Sequence, residues 1–311
     1  MRLHARLTGF AAGLAAFMAL CRAAPGFSER WQAAVALPAL RTLHALTART
    51  ASPVLEWLAL AGIATAGARA AAALAGRRGR RGRRGWALAL AALAAGYALL
   101  WYPAYWAVPA RACPDPDAAR LEALCETLIE RLERRSPAGL TPEEAICQAG
   151  GVSGLAGARV KAARHPGWMR LLGISGLFSP WTGEALIDPG APPALIPFTA
   201  VHELMHLSGI ADEGAANIAA WQRCVAREGP FADSARLWAL KYALSALNRV
   251  DPAACLRVMG RVNGTLQALC RPACSAPTGP AQKLCAFLGI GRATQSYDAL
   301  AAWLAVREAQ G

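Results

Sequence analysis

The stretch FTAVHELMHLSGIADEGAAN, residues 198–217, contains two histidines four positions apart, with a glutamate directly after the first. Pro197 precedes the stretch and suits the first turn of a helix, and Gly209 can end that helix in a left-handed conformation. His202 and His206 then lie on one face of the helix, because side chains four residues apart are separated by about one turn. The stretch therefore predicts a helix with two imidazoles that can share a metal ion.

The order His-Glu-x-x-His on a helix is typical of zinc peptidases, in which the histidines bind the metal and the glutamate accepts a proton from the attacking water. Glu203 is thus the predicted general base, and Zn²⁺ is the predicted cofactor. The alternative is an amphipathic helix whose histidines form hydrogen bonds in the core. Two of only five histidines in the chain fall in this motif and acidic residues follow it, which favours the metal site.

A zinc site that hydrolyses amides needs a third protein ligand, and two neighbouring acids compete for that role. Asp212 has the spacing of the metzincin pattern H-E-x-x-H-x-x-G-x-x-D. Glu213 instead begins the sequence EGAAN, which matches the gluzincin pattern in which the acid binds the metal and the last residue, here Asn217, orients a ligand histidine. We favour Glu213 as the ligand, because Asp212 then has a separate task as the N-cap of a second helix. Asp212 and Asn217 are therefore predicted to support the site without binding the metal.

Three apolar segments in the first third of the chain predict membrane-spanning helices. The chain has 311 residues, of which 55% are hydrophobic and 17% charged, a composition too apolar for an ordinary soluble protein of this length. The predicted spans cover about residues 7–22, 54–76 and 86–107. The first is the shortest and also fits the core of a signal peptide. We therefore predict a membrane region over residues 1–107 and a separate domain over residues 108–311.

The formal net charge of +13 owes much to the run GRRGRRGRRG, residues 76–85, between the second and third predicted spans. A short basic run between two membrane helices is explained by the positive-inside rule and by contact with anionic lipid. This places the run and the N-terminus in the cytoplasm, and everything after Trp106 outside it. We expect no nucleic-acid partner; the alternative is a nucleic-acid-binding loop for which the remainder is a scaffold. The sequence WYPAYW, residues 101–106, is interpreted as an aromatic belt at the outer headgroups.

Most of the cysteines fall after the third predicted span, in the part of the chain predicted to lie outside the cytoplasm. An even number of cysteines in an oxidising compartment predicts disulfides. The alternative, a structural zinc site built on Cys270 and Cys274, lacks the second half of a ligand set. The cysteines concerned are Cys113, Cys125, Cys147, Cys224, Cys255, Cys270, Cys274 and Cys285.

Helical patterns dominate the remainder of the chain. Leucines at helical spacing predict a helix over residues 115–135, and a shorter helix is predicted over residues 141–149. One strand, Glu184–Asp188, is bounded by turn-forming residues, and helical patterns return at Pro197 and continue to the end. Residues 23–53 are predicted to form an outer loop with a weak helical period. The fold is thus predicted to be mainly α, with N-terminal transmembrane helices and a mostly helical domain that contains a small β-sheet or hairpin.

The segment over residues 173–221 contains SGLFSPWTGEALID and IPFTAVHELMHLSGIADEGAAN, and it resembles the bacterial membrane proteins called domain of unknown function 3810. Those proteins are similar to gluzincin-type peptidases carried on N-terminal transmembrane helices. The resemblance extends to WYPAYW, to LWALKYALSAL at residues 237–247 and to QSYDALAAWL at residues 295–304. In the family pattern two glutamates separated by one residue often follow the histidines. The second of these is Ala215 here, which leaves Glu213 as the matching acid.

The resemblance implies a zincin-like fold for the domain after the spans, with an exposed edge strand along which an extended peptide aligns by main-chain pairing. The alternative for this strand is an ordinary surface hairpin. The residues of the implied substrate strand are Glu184, Ala185, Leu186, Ile187 and Asp188.

Zincins also need a hydrogen-bond donor for the oxyanion that forms during amide hydrolysis, and the chain offers Tyr242, Tyr297 and His165. Together these features predict a membrane-anchored zinc metallopeptidase that hydrolyses peptide bonds outside the cytoplasm. Its partners would be the lipid bilayer and a peptide or protein substrate. Its location would be the bacterial inner membrane, with the N-terminus in the cytoplasm and the C-terminal domain in the periplasm or outside the cell. The alternative is a zinc-binding membrane sensor or scaffold that retains the zincin fold without turning over a substrate.

Overall fold

The fold is mainly helical, as predicted, and contains one three-stranded sheet among the residues that the structure describes. The structure is a computed structural model. It describes residues 2–74, 80–107, 116–134, 140–270 and 298–308.

The first part of the chain forms helices α1 to α6, and a π-helical stretch at Gln32–Ala36 joins α2 to α3. These helices are α1 (Arg2–Ala23), α2 (Pro25–Trp31), α3 (Leu37–Thr47), α4 (Val54–Leu74), α5 (Arg80–Leu100) and α6 (Ala104–Ala107).

The second part contains the sheet, a 3₁₀ turn at Pro193–Leu195, further helices and a C-terminal helix at Asp298–Glu308. In chain order the labelled elements are α7 (Ala118–Glu133), α8 (Pro142–Ser153), β1 (Val160–Ala162), α9 (Gly167–Leu172), β2 (Gly176–Ser179), β3 (Glu184–Ile187), α10 (Ile196–Leu207), α11 (Glu213–Cys224), α12 (Pro230–Val250), α13 (Pro252–Arg261) and α14 (Gly264–Cys270).

Three helices are long and apolar enough to cross a membrane, which confirms the predicted apolar helices. Their apolar windows are Arg6–Ala23 in α1, Val54–Ala72 in α4 and Gly85–Ala107, which begins in α5. Large apolar side chains on these helices point outward; Ile63, for example, is 68% exposed. Part of the basic run, residues 76–79, lies outside the described residues.

Residues 23–53, predicted as an outer loop, are helical over most of their length and pack against the second part of the chain. The imidazole of His44 on α3 is buried between two backbone groups: Nδ1 lies 2.8 Å from the Gly183 carbonyl oxygen, and the Arg159 N–H donates to Nε2 at 3.0 Å. The Gln32 side-chain amide donates to the Gly209 carbonyl. This segment is therefore part of the structure around α10.

Local signals in the sequence explain where the helices begin. The Asp117 carboxylate accepts from the Arg120 N–H at the start of α7, and Thr141 and Glu144 form a capping box at the start of α8. Both helices were predicted near these positions. The predicted helix at Pro197 is α10, in which proline occupies the first turn.

Helix α10 lies at the centre of the fold, and each of its residues is buried. It packs against α8, α11 and α12 and against strands β2 and β3. Leu40 of α3 and Trp101, which follows α5, belong to the same hydrophobic core as α10. Helix α3 and the end of the third apolar helix thus share one core with the second part of the chain.

The predicted edge strand is wrong: β3 is the middle strand of the sheet. The strand order is β1-β3-β2, with β3 parallel to β1 and antiparallel to β2. Every residue of β3 is buried, Glu184 included, as expected for a strand that lies between two others. Asp188, the last residue of the predicted strand, follows β3 and donates its N–H to the Ser175 carbonyl at 2.8 Å. Strands β1 and β2 are the two edge strands.

No disulfide joins any two of the cysteines in the described ranges. Cys125, Cys224, Cys255 and Cys270 are buried there, whereas Cys147 is exposed. The other predicted disulfide partners, Cys113, Cys274 and Cys285, lie outside the described residues. The prediction of disulfides is therefore not supported over the described part of the chain.

Glu184, the first residue of β3, links the sheet to α4. Its carboxylate accepts from the backbone N–H groups of Val54 and Leu55, both at 2.8 Å, and pairs with the Lys161 ammonium at 2.7 Å. The Glu184 side chain is 1% exposed. Burial alone would raise the pKa of this carboxyl, but Lys161 and the two N–H groups outweigh it, so the pKa lies below its usual value of 4.5.

We expect Glu184→Gln to lower the free energy of unfolding by about 3 kcal/mol at pH 7, because it leaves the nearly buried Lys161 ammonium without its charged partner. A depressed carboxyl pKa stabilises the fold above the unfolded value of 4.5, and that contribution is lost as the pH falls further. Denaturant titrations in detergent, at pH 7 and pH 4, measure both effects.

The matched control is Glu130→Gln, which removes an exposed pair with Arg134 and is expected to cost less than about 1 kcal/mol. The role given to Glu184 would be contradicted if both variants lost the same free energy of unfolding. It would also be contradicted if the stability of Glu184→Gln depended on pH as steeply as that of the wild type.

Candidate metal centre

A tight connection between α10 and α11 brings the two helices' polar residues together. Gly209 follows α10 with φ of 97°, in the left-handed region that favours glycine, and a Cβ there would collide with the Gln32 side chain. Three residues later Asp212 caps α11, its carboxylate accepting from the Ala215 N–H at 2.8 Å. Glu213 is the first residue of α11 and therefore lies back over the face of α10 that carries the histidines.

Three of the predicted site residues, His202, His206 and Glu213, converge. The Glu213 carboxylate lies 3.1 Å from Nε2 of His202 and 3.6 Å from Nε2 of His206. One ligand atom from each residue lies within 4.8 Å of the others. Ligand atoms about 2 Å from a tetrahedral zinc ion are about 3.3 Å apart, so a small adjustment of these side chains accommodates the ion.

The second nitrogen of each imidazole differs in its surroundings. Nδ1 of His206 lies 2.7 Å from the Ile210 carbonyl oxygen, which fixes the ring with Nε2 toward Glu213. Nδ1 of His202 is buried and has no hydrogen-bond partner among the described residues. The imidazole of His206 is thus held in the orientation of a metal ligand, whereas the imidazole of His202 has a buried Nδ1 without a hydrogen-bond partner among the described residues.

Asn217, predicted to orient a ligand histidine, lies one turn after Glu213 on α11 and is fully buried. The Tyr242 hydroxyl group on α12 lies beside its side-chain amide. His202 and Asn217 stand on the facing helices α10 and α11, at the positions that the sequence pattern assigns to a ligand and its supporting residue. Asp212 has the predicted role of helix cap.

Glu203 is 5% exposed and lies against the start of β2. A Cβ on Gly176 would overlap its carboxylate, so only glycine leaves room for the glutamate at this point. Burial raises the pKa of Glu203 to about 7, against the lowering effect of the two imidazoles, and the Glu213 charge raises it further. A carboxyl group that titrates near neutral pH suits general acid–base chemistry.

The charges within the cluster show what kind of ligand it favours. Burial lowers the pKa of His206, but the neighbouring Glu213 carboxylate outweighs this and raises it to about 9. Burial likewise opposes the charge of Glu213, yet His206 and His202 hold the pKa of this carboxyl well below its usual range. A proton on His206 therefore supplies positive charge where a metal cation would lie, and the donor set of two imidazoles and a carboxylate fits zinc.

Two aromatic residues that the sequence did not assign to the site touch it. The ring of Trp101 lies 5.7 Å from that of His206 and 5.2 Å from that of Phe178 in β2. Trp101 is 8% exposed, so it faces the protein and not the headgroups to which WYPAYW was assigned. The only indication in the sequence was the position of Trp101 directly after the third apolar helix. A tryptophan that faces lipid has the same position, so the sequence did not distinguish the two cases.

The three predicted oxyanion donors differ in their distance from the cluster. Tyr242 on α12 is near the cluster: burial raises the pKa of its hydroxyl, and the charges of Glu213 and Glu203 raise it further. His165 is not brought to the cluster; its side chain is 61% exposed and lies 3.7 Å from Glu56 of α4. Tyr297 lies outside the described residues.

The structure and the site define a class of protein: it is mainly helical, has three apolar helices that can cross a membrane, and contains a cluster of two buried histidines and a partly exposed glutamate. A family model described as Protein of unknown function (DUF3810) matches residues 39–271. The chain belongs to this family, and the match includes α4, α5 and the cluster. Neither a search of curated proteins nor a search of solved structures found a match to the chain.

We expect the purified full-length protein to bind one zinc ion, and Glu213→Gln to weaken the binding at least about 100-fold, because removing a ligand costs more than removing a supporting residue. His206→Ala is expected to have an effect of similar size. Chelator competition and elemental analysis measure affinity and stoichiometry.

Asp212→Asn is the matched control, since asparagine caps a helix as well as aspartate does, and we expect it to leave zinc affinity within a factor of about three. If Asp212→Asn abolishes zinc binding while Glu213→Gln retains it, the third ligand is Asp212.

Zinc affinity is expected to rise with pH. Because the pKa of His206 in the metal-free protein is about 9, the imidazole carries a proton at neutral pH that zinc must displace. The affinity should increase about tenfold per pH unit between about pH 7 and 8.5 and level off near pH 9. Calorimetry in two buffers of different ionisation enthalpy counts the released protons, and a flat affinity profile would contradict this charge state.

Proposed function

We propose that this protein is a membrane-anchored zinc peptidase that hydrolyses peptide bonds outside the cytoplasm. One observation carries the proposal: the ligand atoms of His202, His206 and Glu213 converge within 4.8 Å, with the carboxyl group of Glu203 beside them. Structural zinc sites in proteins are closed by four ligands and are rich in cysteine, whereas two histidines and one glutamate leave a fourth position for water or substrate. The donor set thus supports a catalytic site of the gluzincin type.

Zinc bound in such a site lowers the pKa of a coordinated water molecule toward neutrality. In this chain Glu203 takes the proton from the attacking water and passes it to the leaving amine, and a pKa of about 7 in the metal-free protein suits both transfers. Ile210 holds the ring of His206 in place through its carbonyl group. The hydroxyl group of Tyr242 is the described candidate donor to the oxyanion.

The start of β2, where Gly176 is partly exposed, offers main-chain groups to a substrate, whereas Phe178 further along the strand is buried. Ser175 accepts from Asp188, and paired residues alternate along an antiparallel ladder. The backbone polar groups of Gly176 and Phe178 therefore point away from β3, and no described strand pairs with them. Because Gly176 lies against Glu203, a peptide that adds to this edge brings its own amide bonds to the cluster.

The apolar helices and the basic run support the location. Three helices can cross a membrane, and a basic run between the second and third of them favours a cytoplasmic loop by the positive-inside rule. The cluster lies in the part of the chain that follows the third helix. In this topology the site faces the periplasm or the outside of the cell.

We expect Glu203→Gln to reduce peptide hydrolysis by about 10²- to 10⁴-fold, because glutamine cannot accept the proton, while the zinc content stays unchanged. The zinc content and the rate of hydrolysis of a mixed peptide pool are both measured on the same protein preparation.

Glu126→Gln, an exposed change on α7, is the matched control and is expected to leave both quantities unchanged. Unaltered turnover in Glu203→Gln would refute the catalytic role of that residue. A zinc-loaded wild type that cleaves no peptide would support the alternative of a zinc-binding sensor or scaffold.

A further inference from the structure

A cavity of about 340 Å³ lies beside the metal centre. Its lining includes Ser175, which directly precedes the Gly176 that lies against the Glu203 carboxylate. Because consecutive Cα atoms are about 3.8 Å apart, the Cα of Ser175 lies within about 8 Å of that carboxylate. The volume falls in the range of ligand pockets, which begins at about 300 Å³. The cavity is therefore large enough for part of a substrate and close enough to the metal centre to hold it there.

Trp238 of α12 forms a wall between this cavity and the cluster. Its ring centroid lies 6.3 Å from that of Phe198 on α10, which in turn lies 6.3 Å from that of His202. On the other side it lies 5.4 Å from the ring of Tyr242, one turn later on α12. The Trp238 indole N–H donates to the Leu195 carbonyl oxygen at 3.0 Å, which fixes the wall. One aromatic ring thus separates Trp238 from a predicted metal ligand.

Two basic side chains from different helices line the cavity. Arg170 on α9 is 57% exposed, so the cavity opens to the surface. Lys241 on α12 lies beside Trp238, with its ammonium 5.8 Å from the indole ring, and donates to the Leu269 carbonyl oxygen at 2.8 Å. The acid among the lining residues is Asp188, so the charged groups of the cavity leave an excess of positive charge. The remaining walls are mostly apolar.

Asp188 holds Arg170 in place and leaves part of its guanidinium for another acceptor. The Asp188 carboxylate accepts from Nε of Arg170 at 2.8 Å and from Nη2 at 3.0 Å. It also accepts from the Gly190 N–H at 2.8 Å, and its side chain is only 5% exposed. A guanidinium has five N–H donors, and this pair uses one edge of the fork. Arginine oriented in this way is well suited to bind a second carboxylate through Nη1.

We propose that this cavity binds a carboxylate group of the substrate, so that the site cleaves peptides with a carboxylate within about two residues of the cleaved bond. This rests on the proposed function. The spacing follows from the position of Ser175, because an extended chain advances about 3.3 Å per residue and the cavity wall lies within about 8 Å of Glu203. The free C-terminus and an acidic side chain both present the pair of oxygens that Arg170 and Lys241 would recognise.

The test compares short mixed-sequence peptides that differ in a single carboxylate. All have a blocked N-terminus. In the first pair of pools the peptides lack acidic residues and end either in a free carboxylate or in an amide. In the second pair both pools end in an amide, and one glutamate in the first pool is replaced by glutamine in the second. Binding is measured by equilibrium dialysis with the zinc-loaded, full-length Glu203→Gln protein in detergent, and cleavage is measured with the zinc-loaded wild type.

We expect the carboxylate pool of at least one pair to bind at least about tenfold more tightly than its uncharged partner, because hydrogen bonds between charged groups are the stronger ones. The pair that shows this preference identifies the source as the C-terminus or a side chain. Equal binding within both pairs would overturn this inference and leave the proposed function intact. A preference in binding without cleavage of any pool by the wild type would refute the proposed function, while the cavity would remain a carboxylate site.

Arg170→Gln and Lys241→Gln separate the cavity from the zinc ion, which can itself bind a carboxylate. We expect each variant to reduce the preference to about threefold or less and to leave binding of the uncharged pools unchanged. Lys241→Gln keeps the test decisive if Arg170→Gln, which removes the partner of the nearly buried Asp188, fails to fold.

The matched control is Arg257→Gln on α13, since Arg257 is 54% exposed and is also paired with an acid, Glu122. This variant should retain the full preference. A preference that persists in both cavity variants would place the carboxylate on the zinc ion and overturn this assignment. An equal loss of binding for charged and uncharged pools would show a purely structural role for the basic residues and would overturn it as well.

Discussion

The structure depends on how three polar side chains are accommodated in a helix that is buried on all sides. Helix α10 carries His202, Glu203 and His206, and no residue of this helix is exposed to water. Burying such groups without partners costs several kcal/mol each, so the surrounding protein must supply opposite charges and hydrogen bonds. The Glu213 carboxylate and the Ile210 carbonyl do this in part. Within the described ranges no group pairs with the buried Nδ1 of His202.

This constraint also explains why Trp101 and the segment over residues 23–53 pack closely around the cluster. Trp101 covers one side of His206, and the Gln32 amide contacts the turn that redirects the chain toward Glu213. Without these contacts, water would reach the imidazoles from that side. The cluster therefore lies where the two parts of the chain meet, and residues of the first part help to exclude water from it.

The sequence predicts well those features that depend on neighbouring residues. The spacing of His202 and His206, the cap at Asp212 and the acid after it all lie within a dozen positions, and the structure brings the three ligand candidates together. Strand β3 was found because its apolar residues lie between turn-forming ones. Its place in the sheet was predicted wrongly, since that depends on pairing with β1 and β2, which carry no comparable local pattern.

The other features that the sequence did not predict also depend on residues that are distant in the chain. An aromatic residue at the end of an apolar helix gives the same sequence signal whether it faces lipid or protein, and Trp101 faces the protein. The importance of Gly176 arises from a carboxylate 27 positions away in the chain, which no local rule could relate to it. Cysteines show a similar limit, because an even count in a region states nothing about distances, and none of those in the described ranges is bonded to another.

The attachment of Glu184 to the start of α4 has a consequence for how the protein is made. The first backbone N–H groups of α4 are satisfied by a carboxylate about 130 residues later in the chain, so they have no such partner until the sheet has formed. During synthesis α4 therefore leaves the ribosome long before the carboxylate that caps it. The first turn of this helix becomes fixed only when the sheet has folded against it.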